Sequence, residues 1–391
     1  MKQRWFQSLF PIGSRDTPPN GGTSRTLRFH KWLVAFPAAA MLLVACWFLF
    51  RVPPRPGGGA VSITDIGILF NGNIEDRGYV QAQYEALVSV AAERGAKLHV
   101  RSSVPVDGNF PVLAEELIRQ GCQAIFSDNY MFDDDLLRLA AAHPDVYFLN
   151  ASGMVSADNL CSCLGRVYQV RYLSGIVAGM QTKTGQIGYI VGCLTPESIR
   201  QLDAFTIGVR KANPGAVVYV RHTDDWNDGE KAAAMTSQLL DAHQIDVLTA
   251  HVNPVSPLRV ANQRGVYTIG NNYDNRELFP ETYLTACLFD WKAFFSARLN
   301  ECVQGRFTGQ LYWDDIESGL VSLAPLTDLV VPGAGAAVAA EQERMEKGQY
   351  DVFFGPVTDT YGTLQLREGE NLSDETLLHS IFWLVDGVVM E

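Results

Sequence analysis

Residues 61–103 read VSITDIGILFNGNIEDRGYVQAQYEALVSVAAERGAKLHVRSS. The β-branched run 61–70 has strand character, residues 79–94 carry a helical apolar period, and 96–103 return to strand character. The rhythm is strand, loop, helix, strand, and it continues downstream. Further strands are predicted at 124–129, 146–152, 185–192, 217–223, 247–252 and 267–272, with helices over 111–120, 134–143, 168–182, 197–212, 229–243 and 256–264. Strands alternating with helices imply parallel sheet covered on both faces. Four strands fall before about residue 165 and four after it, so the fold class is α/β with two Rossmann-like lobes.

Working outward toward the N-terminus, residues 51–60 (RVPPRPGGGA) are a linker that prolines stiffen and glycines loosen. Before it, Trp32 to Phe50 form nineteen uncharged, mostly apolar residues, about the length that crosses a hydrocarbon core. More positive charge precedes this run than follows it, which places residues 1–31 in the cytoplasm and the rest outside. The expectation is one N-terminal transmembrane helix in a bacterial cell membrane and an extracytoplasmic domain over 61–391. Leu43-Val44-Ala45-Cys46 is also similar to a lipoprotein cleavage box, with Cys46 the lipid-bearing residue. Anchor and lipoprotein both tether the domain.

The 391 residues carry a net charge of −12. Residues 1–55 hold eight Lys/Arg against Asp16 alone, leaving −19 on the remainder. A body that acidic repels a phosphate backbone, which excludes nucleic acid as a partner. With 47% apolar and 19% charged residues, disordered, collagen-like and small disulfide-scaffold classes are excluded as well.

In a doubly wound sheet, ligands meet the loops at the carboxyl ends of strands. Those ends read Phe70-Asn71-Gly72 through Asp76-Arg77-Gly78-Tyr79, then Asp128-Asn129-Tyr130 and Asn150-Ala151-Ser152 in the first lobe. In the second they read Asp225-Trp226-Asn227-Asp228, His251-Val252-Asn253 and Asn271-Asn272-Tyr273-Asp274. Aromatic rings with Asn and Asp suit a neutral, planar, hydroxylated molecule held in a cleft between lobes. Phosphate is poorly served, because these ends have no glycine-rich cradle with Lys or Arg.

The motif order is specific in combination. Asp76-Arg77-Gly78-Tyr79 is followed by Tyr172-Leu173-Ser174-Gly175, Gly185-Gln186-Ile187-Gly188-Tyr189, Asp203-Ala204-Phe205-Thr206-Ile207-Gly208, Trp226-Asn227-Asp228, Arg264-Gly265-Val266-Tyr267-Thr268-Ile269-Gly270, Asp290-Trp291 and Phe354-Gly355-Pro356-Val357-Thr358-Asp359. Over about 61–390 the chain resembles the basic membrane protein family of bacterial ABC-transporter substrate-binding proteins. That resemblance implies a type I periplasmic-binding fold, two lobes around a ligand cleft joined by three crossovers. The first lobe would comprise about 61–165 with a returning segment near 290–318, and the second about 166–285 with much of 319–391.

It further implies a small-molecule purine ligand, nucleoside or nucleobase, an ABC permease partner, no cofactor and no metal. Tyr79 would be the stacking ring of the first lobe and Phe205 that of the second. Asp76 would take a hydroxyl or stabilise its loop, while Trp226, Asp228, His251 and Asn253 line the second lobe. Phe70, Asn71, Asn129, Tyr130, Asn271 and Asn272 complete the candidate ligand-binding set. Asn271-Asn272 stands where nucleoside receptors often carry an Asp for ribose, and an amide is the weaker acceptor for a hydroxyl.

Structural roles compete for several of these positions. Asp76 precedes a helix and is suited to cap it, and Trp226 and Asp228 could form only the entry turn and cap of helix 229–243. Asp133-Asp134-Asp135 fits a helix start better than a metal site. Trp291 and Trp313 read as packing residues, with a role in the cleft as the alternative. Cys122, Cys161, Cys163, Cys193, Cys287 and Cys302 could form three disulfides in fifteen ways, or stand as small buried hydrophobes. The chain has no Gly-x-Ser-x-Gly elbow, His-Glu-x-x-His or Walker loop, so no enzyme is expected. The alternatives are a ligand-sensing module of a membrane signalling system and a nucleoside hydrolase; the latter needs a carboxylate cluster where only Asp65 and Asp76 stand.

Overall fold

The computed structural model describes residues 62–391. The expected tail 1–31, span 32–50, Cys46 and linker 51–60 lie outside the described residues. Among those described, no helix is long and apolar enough to cross a membrane.

The first lobe is built on β1 (Asp65–Leu69), β2 (Lys97–Arg101), β3 (Ala124–Ser127), β4 (Tyr147–Ala151), β5 (Leu160–Cys163) and β11 (Leu311–Tyr312), in the order β11-β5-β4-β3-β1-β2, every pair parallel. The second is built on β6 (Gln186–Val191), β7 (Val217–His222), β8 (Val247–His251), β9 (Tyr267–Asn271), β10 (Tyr283–Phe289), β12 (Val321–Leu323) and β15 (Val388–Met390), in the order β12-β10-β9-β8-β6-β7-β15. Only the β10–β12 pair of this sheet is antiparallel. In each lobe one strand, β1 or β6, lies between its two successors. Strand order reverses there, and a crevice opens at the carboxyl ends.

The helices follow their signals closely. Helix α1 (Tyr79–Arg94) ends at Gly95, whose φ of +66° turns its N–H back onto Ala91 and Ala92. Helices α2 (Phe110–Arg119) and α3 (Asp133–Ala142) cover the first sheet, and the acids 133–135 form the first turn of α3, as its dipole favours. Helices α4 (Val167–Gln181) and α5 (Pro196–Ala212) pack backbone to backbone. A Cβ on Gly175 would come within 2.1 Å of the Phe205 carbonyl, and one on Gly208 within 2.0 Å of that of Tyr172, so only glycine permits the approach. Helices α6 (Gly229–Ala242) and α7 (Ser256–Gln263) flank the second sheet.

The chain crosses between the lobes three times: from β5 into α4, from β10 into α8 (Trp291–Val303), and from β11 to β12. Helix α8 lies on α1 in the first lobe, and α9 (Ala334–Glu346) lies on α4 in the second. The C-terminal segment adds β13 (Val357–Thr358), β14 (Leu364–Leu366) and α10 (Asp374–His379) before β15 joins the edge of the second sheet. All six described cysteines are free thiols and five are buried, so none of the possible disulfides forms among the described residues.

Candidate functional site

The carboxyl ends of both sheets face one cavity of about 320 Å³. From the first lobe it receives Asn71 after β1, Asp128, Asn129 and Tyr130 after β3, Ser152 after β4, and Tyr79 from the first turn of α1. From the second it receives Glu197 and Gln201 of α5, Trp226 after β7, His251 and Asn253 after β8, and Asn272 after β9. Phe289 and Trp291 enter from the second crossover, and Leu378 and His379 from α10. No lysine or arginine lines it among the described residues.

Each wall residue is held by local chemistry. The Tyr79 hydroxyl hydrogen-bonds Ser152 Oγ at 2.6 Å, and its ring meets Trp291 edge-on at 5.9 Å. Trp291 in turn stacks on Phe289 at 4.6 Å and on Phe295 at 5.5 Å. Across the cleft, Trp226 tilts against His251 at 5.3 Å and covers Gly192, where a Cβ would lie 2.4 Å from the indole. Asn272 adopts φ +63°, a left-handed conformation that asparagine tolerates. Behind the second wall, fully buried Arg171 donates to Gln201 Oε1 (3.0 Å), Thr249 Oγ1 (3.2 Å) and the Ala250 carbonyl (3.1 Å). Its guanidinium locks Gln201 without entering the cavity.

Burial dominates the electrostatics. Asp128 accepts the Asn71 N–H at 2.8 Å, yet desolvation raises its carboxyl to about 7. The closed cleft likewise raises Glu197, against the pull of Arg200. His251 is held well below the usual imidazole range by burial, with Arg171 and Arg200 adding to the effect, so it stands neutral. The wall therefore presents hydrogen-bonding groups and aromatic faces, with no lysine or arginine among the described residues.

The structure brings together Asn71, Tyr79, Asn129, Tyr130, Trp226, His251, Asn253 and Asn272 of the expected set. It separates the other five. Phe205 is fully buried and packs edge-on against Tyr189 at 5.5 Å, so it belongs to the core and not the clamp. Phe70 is also wholly buried. Asp76 accepts from the backbone N–H groups of Gly78 (2.8 Å), Val80 (3.1 Å) and Gln81 (3.0 Å), which makes it the cap of α1. Asp228 caps α6 through the Lys231 N–H at 2.8 Å. Asn271 ends β9 one residue short of the cavity.

Cavity residues outside the expected ligand-binding set include Asp128, Ser152, Glu197, Gln201, Phe289 and Trp291, with Leu378 and His379 from α10. Asp128 and Ser152 stand in strand-end segments already singled out. Glu197 and Gln201 begin the helix after β6, where the strand order reverses.

A protein-family model described as ABC transporter substrate-binding protein PnrA-like matches residues 63–343. The chain belongs to this Bmp family. A purine-binding protein of Brucella abortus (strain 2308) is 28% identical over 333 residues, covering 84% of this chain and 94% of that protein. A putative ABC transporter glucose-binding protein of Haloferax volcanii is 29% identical over 274 residues, covering 70% of this chain and 67% of the relative. Among solved structures, an ABC transporter solute-binding protein from Conexibacter woesei superposes with a TM-score of 0.61 at 23% identity, over 73% of this chain and 97% of that one. The fold is thus an α/β, two-lobe, periplasmic-binding-protein-like fold with parallel sheets. This Bmp-family chain is an ABC transporter solute-binding protein and not an enzyme, with a small-molecule ligand and an ABC permease as its partners.

Proposed function

We infer that the protein is a membrane-anchored, extracytoplasmic receptor that captures a purine, as free base or nucleoside, for import. The observation that carries this reading is the cavity wall. Tyr79, Tyr130, Trp226, Phe289 and Trp291 converge from both lobes and the crossover, between amides and the carboxyls of Asp128 and Glu197, with no lysine or arginine among the described residues. A planar heterocycle offers two faces to such rings and N–H donors to such carboxyls. A ligand touching both lobes stabilises the closed form by its differential affinity, and that form is what a permease can recognise.

The purine-binding relative supports this ligand class, and the glucose-binding relative supplies the competing one. The test is a thermal-shift screen of purine bases, nucleosides and hexoses on residues 57–391. A ligand present at 100 times its dissociation constant adds about 2.7 kcal/mol to stability. A shift with hexoses and none with any purine refutes the reading. For the anchor, full-length protein should sediment with membranes while residues 57–391 stay soluble, and mass spectrometry of the mature N-terminus separates an uncleaved span from lipidated Cys46. Full-length protein free in the soluble fraction refutes both.

A further inference from the structure

At one end of the cavity three asparagines from three loops and both lobes form a hydrogen-bonded row, of which Asn71 and Asn253 line the cavity. The Asn253 Nδ2 donates to Asn227 Oδ1 at 2.8 Å, Asn227 Nδ2 donates to Asn71 Oδ1 at 3.1 Å, and Asn71 Nδ2 donates to the Val104 carbonyl at 2.9 Å. The chain of donors runs one way, and the backbone carbonyl at its end fixes the orientation of every amide in it. Beyond it lies a second cavity of about 360 Å³, lined by Asn73, Glu75, Asp76, Pro254 and Arg259 among others. Asn71 lines only the first cavity, Asn227 only the second, and Asn253 both. Asn253 is the residue the two linings share, and the amide row stands where they meet.

The row is tightly backed. A Cβ on Gly72 would lie 3.0 Å from Asn227 Oδ1, and one on Gly78 would lie 2.0 Å from the Asn253 carbonyl oxygen. The first cavity is near the lower end of the range for small-molecule sites, about 300–1,000 Å³, whereas the two joined would fall well inside it.

We propose that the Asn253–Asn227–Asn71 row is the end wall of the ligand cavity and sets the length of ligand the protein accepts. Ligands that end at the row are bound, and those with a further polar chain are rejected because the chain needs the space that Asn227 fills. Shortening Asn227 joins the cavities and gives that chain a polar chamber walled by Glu75, Asp76 and Arg259. The inference rests on the cleft being the ligand site, and it holds whichever ligand class fills the cleft.

The experiment compares wild type, Asn227→Gly and Asn227→Leu by calorimetry on two graded series. One is a purine base, its nucleoside, and the nucleoside lengthened by a hydroxyalkyl chain at the 5′ carbon; the other is a hexose and its disaccharide. Asn227 is exposed and in a loop, and circular dichroism checks the fold of each variant. Wild type should discriminate against the longest member of the series it binds by about tenfold or more, Asn227→Gly should narrow that ratio about tenfold, and Asn227→Leu, which refills the space, should keep it. The same ratio in wild type and Asn227→Gly overturns the proposal, as does an equal loss of affinity for every member. Binding of the hexose series alone refutes the purine reading, and the length ratio within that series then still decides the role of the row.

Discussion

Gly78→Ala isolates closure from folding. Gly78 is the N-cap of α1 in the first lobe, with φ −144° and ψ −136°. A Cβ at this position would stand 2.0 Å from the carbonyl oxygen and 3.1 Å from the carbonyl carbon of Asn253 in the second lobe. Unstrained heavy atoms meet at about 3.5 Å, so the seam must open by an ångström or more. That opening also stretches the bonds across the rim, Asn275 Nδ2 to the Arg77 carbonyl at 2.9 Å, Tyr273 to Glu85 at 3.1 Å, and Asn227 to Asn71 at 3.1 Å. Overpacking of a well-packed contact costs about 1–3 kcal/mol, which as a bias against the closed state alone is roughly 5–150-fold in apparent affinity. Calorimetry with the ligand from the thermal-shift screen should show that loss. Small-angle scattering should show a larger radius of gyration than wild type, and the melting temperature of the unliganded domain should stay within a few degrees. An affinity within twofold of wild type in a folded Gly78→Ala domain would refute the argument that the two lobes meet at this point.

The remaining expectations concern the wall and its surroundings. Phe205→Ala should lower stability by about 3–5 kcal/mol, the cost of truncating a buried ring, whereas Trp226→Ala should leave the melting temperature nearly unchanged and weaken a planar ligand by about 1–3 kcal/mol. The opposite pattern, in urea unfolding and calorimetry, would return Phe205 to the cleft. Asp128 has a folded-state carboxyl raised to about 7 from 3.8. The folded state therefore holds a proton the unfolded chain has lost, so stability is fully present below about 4, falls as pH rises toward 7, and levels above it. In melting curves from pH 4 to 8, Asp128→Asn should flatten that slope, and an unchanged slope would reject the assignment. A nucleoside 5′-monophosphate should bind at least about tenfold more weakly than its nucleoside, because its charge meets carboxyls and no lysine or arginine. Equal affinities in calorimetry would count against the electrostatic reading of the wall.

The fold was largely legible because its local and global signals agree. Helix 79–94 coincides with α1, and the helices expected over 111–264 each begin and end within one residue of those observed. The strand Leu160–Cys163 carries no sequence signal because Leu-Cys-Ser-Cys is too short to show a period, and β10 (Tyr283–Phe289) lies beyond the last βαβ repeat of the pattern. The site was legible where chemistry sits at a strand end, as with Asn71, Tyr130, Trp226, His251 and Asn272. It failed at Phe205 because a motif gives an address along the chain and not the depth at which the helix buries it. Gln201 lies one turn earlier on the same side of α5 and reaches the cavity, whereas at Phe205 the helix has already passed beneath α4. The residues of α10 could not be found at all from spacing, since they reach the cleft only after the C-terminal segment has returned along the second lobe.

The placement of the cations bears on which ligands the cleft can hold. The guanidinium groups of Arg171 and Arg200 are fully buried beside the cavity, and neither lines it. Arg171 spends its donors on Gln201, Thr249 and Ala250, and Arg200 lies over Trp313 at 4.8 Å while one of its donors takes the Leu377 carbonyl. The same charges help hold His251 neutral and oppose the rise of Glu197. Cations set one layer back thus orient Gln201, brace α10 at the cleft edge, and fix the ionisation of the wall, while the surface that meets a ligand remains aromatic and amide-rich. A guanidinium moved forward into the cavity would bind anions through charge-assisted contacts. Holding it behind Gln201 leaves recognition to ring faces and neutral hydrogen bonds, which suits an uncharged heterocycle.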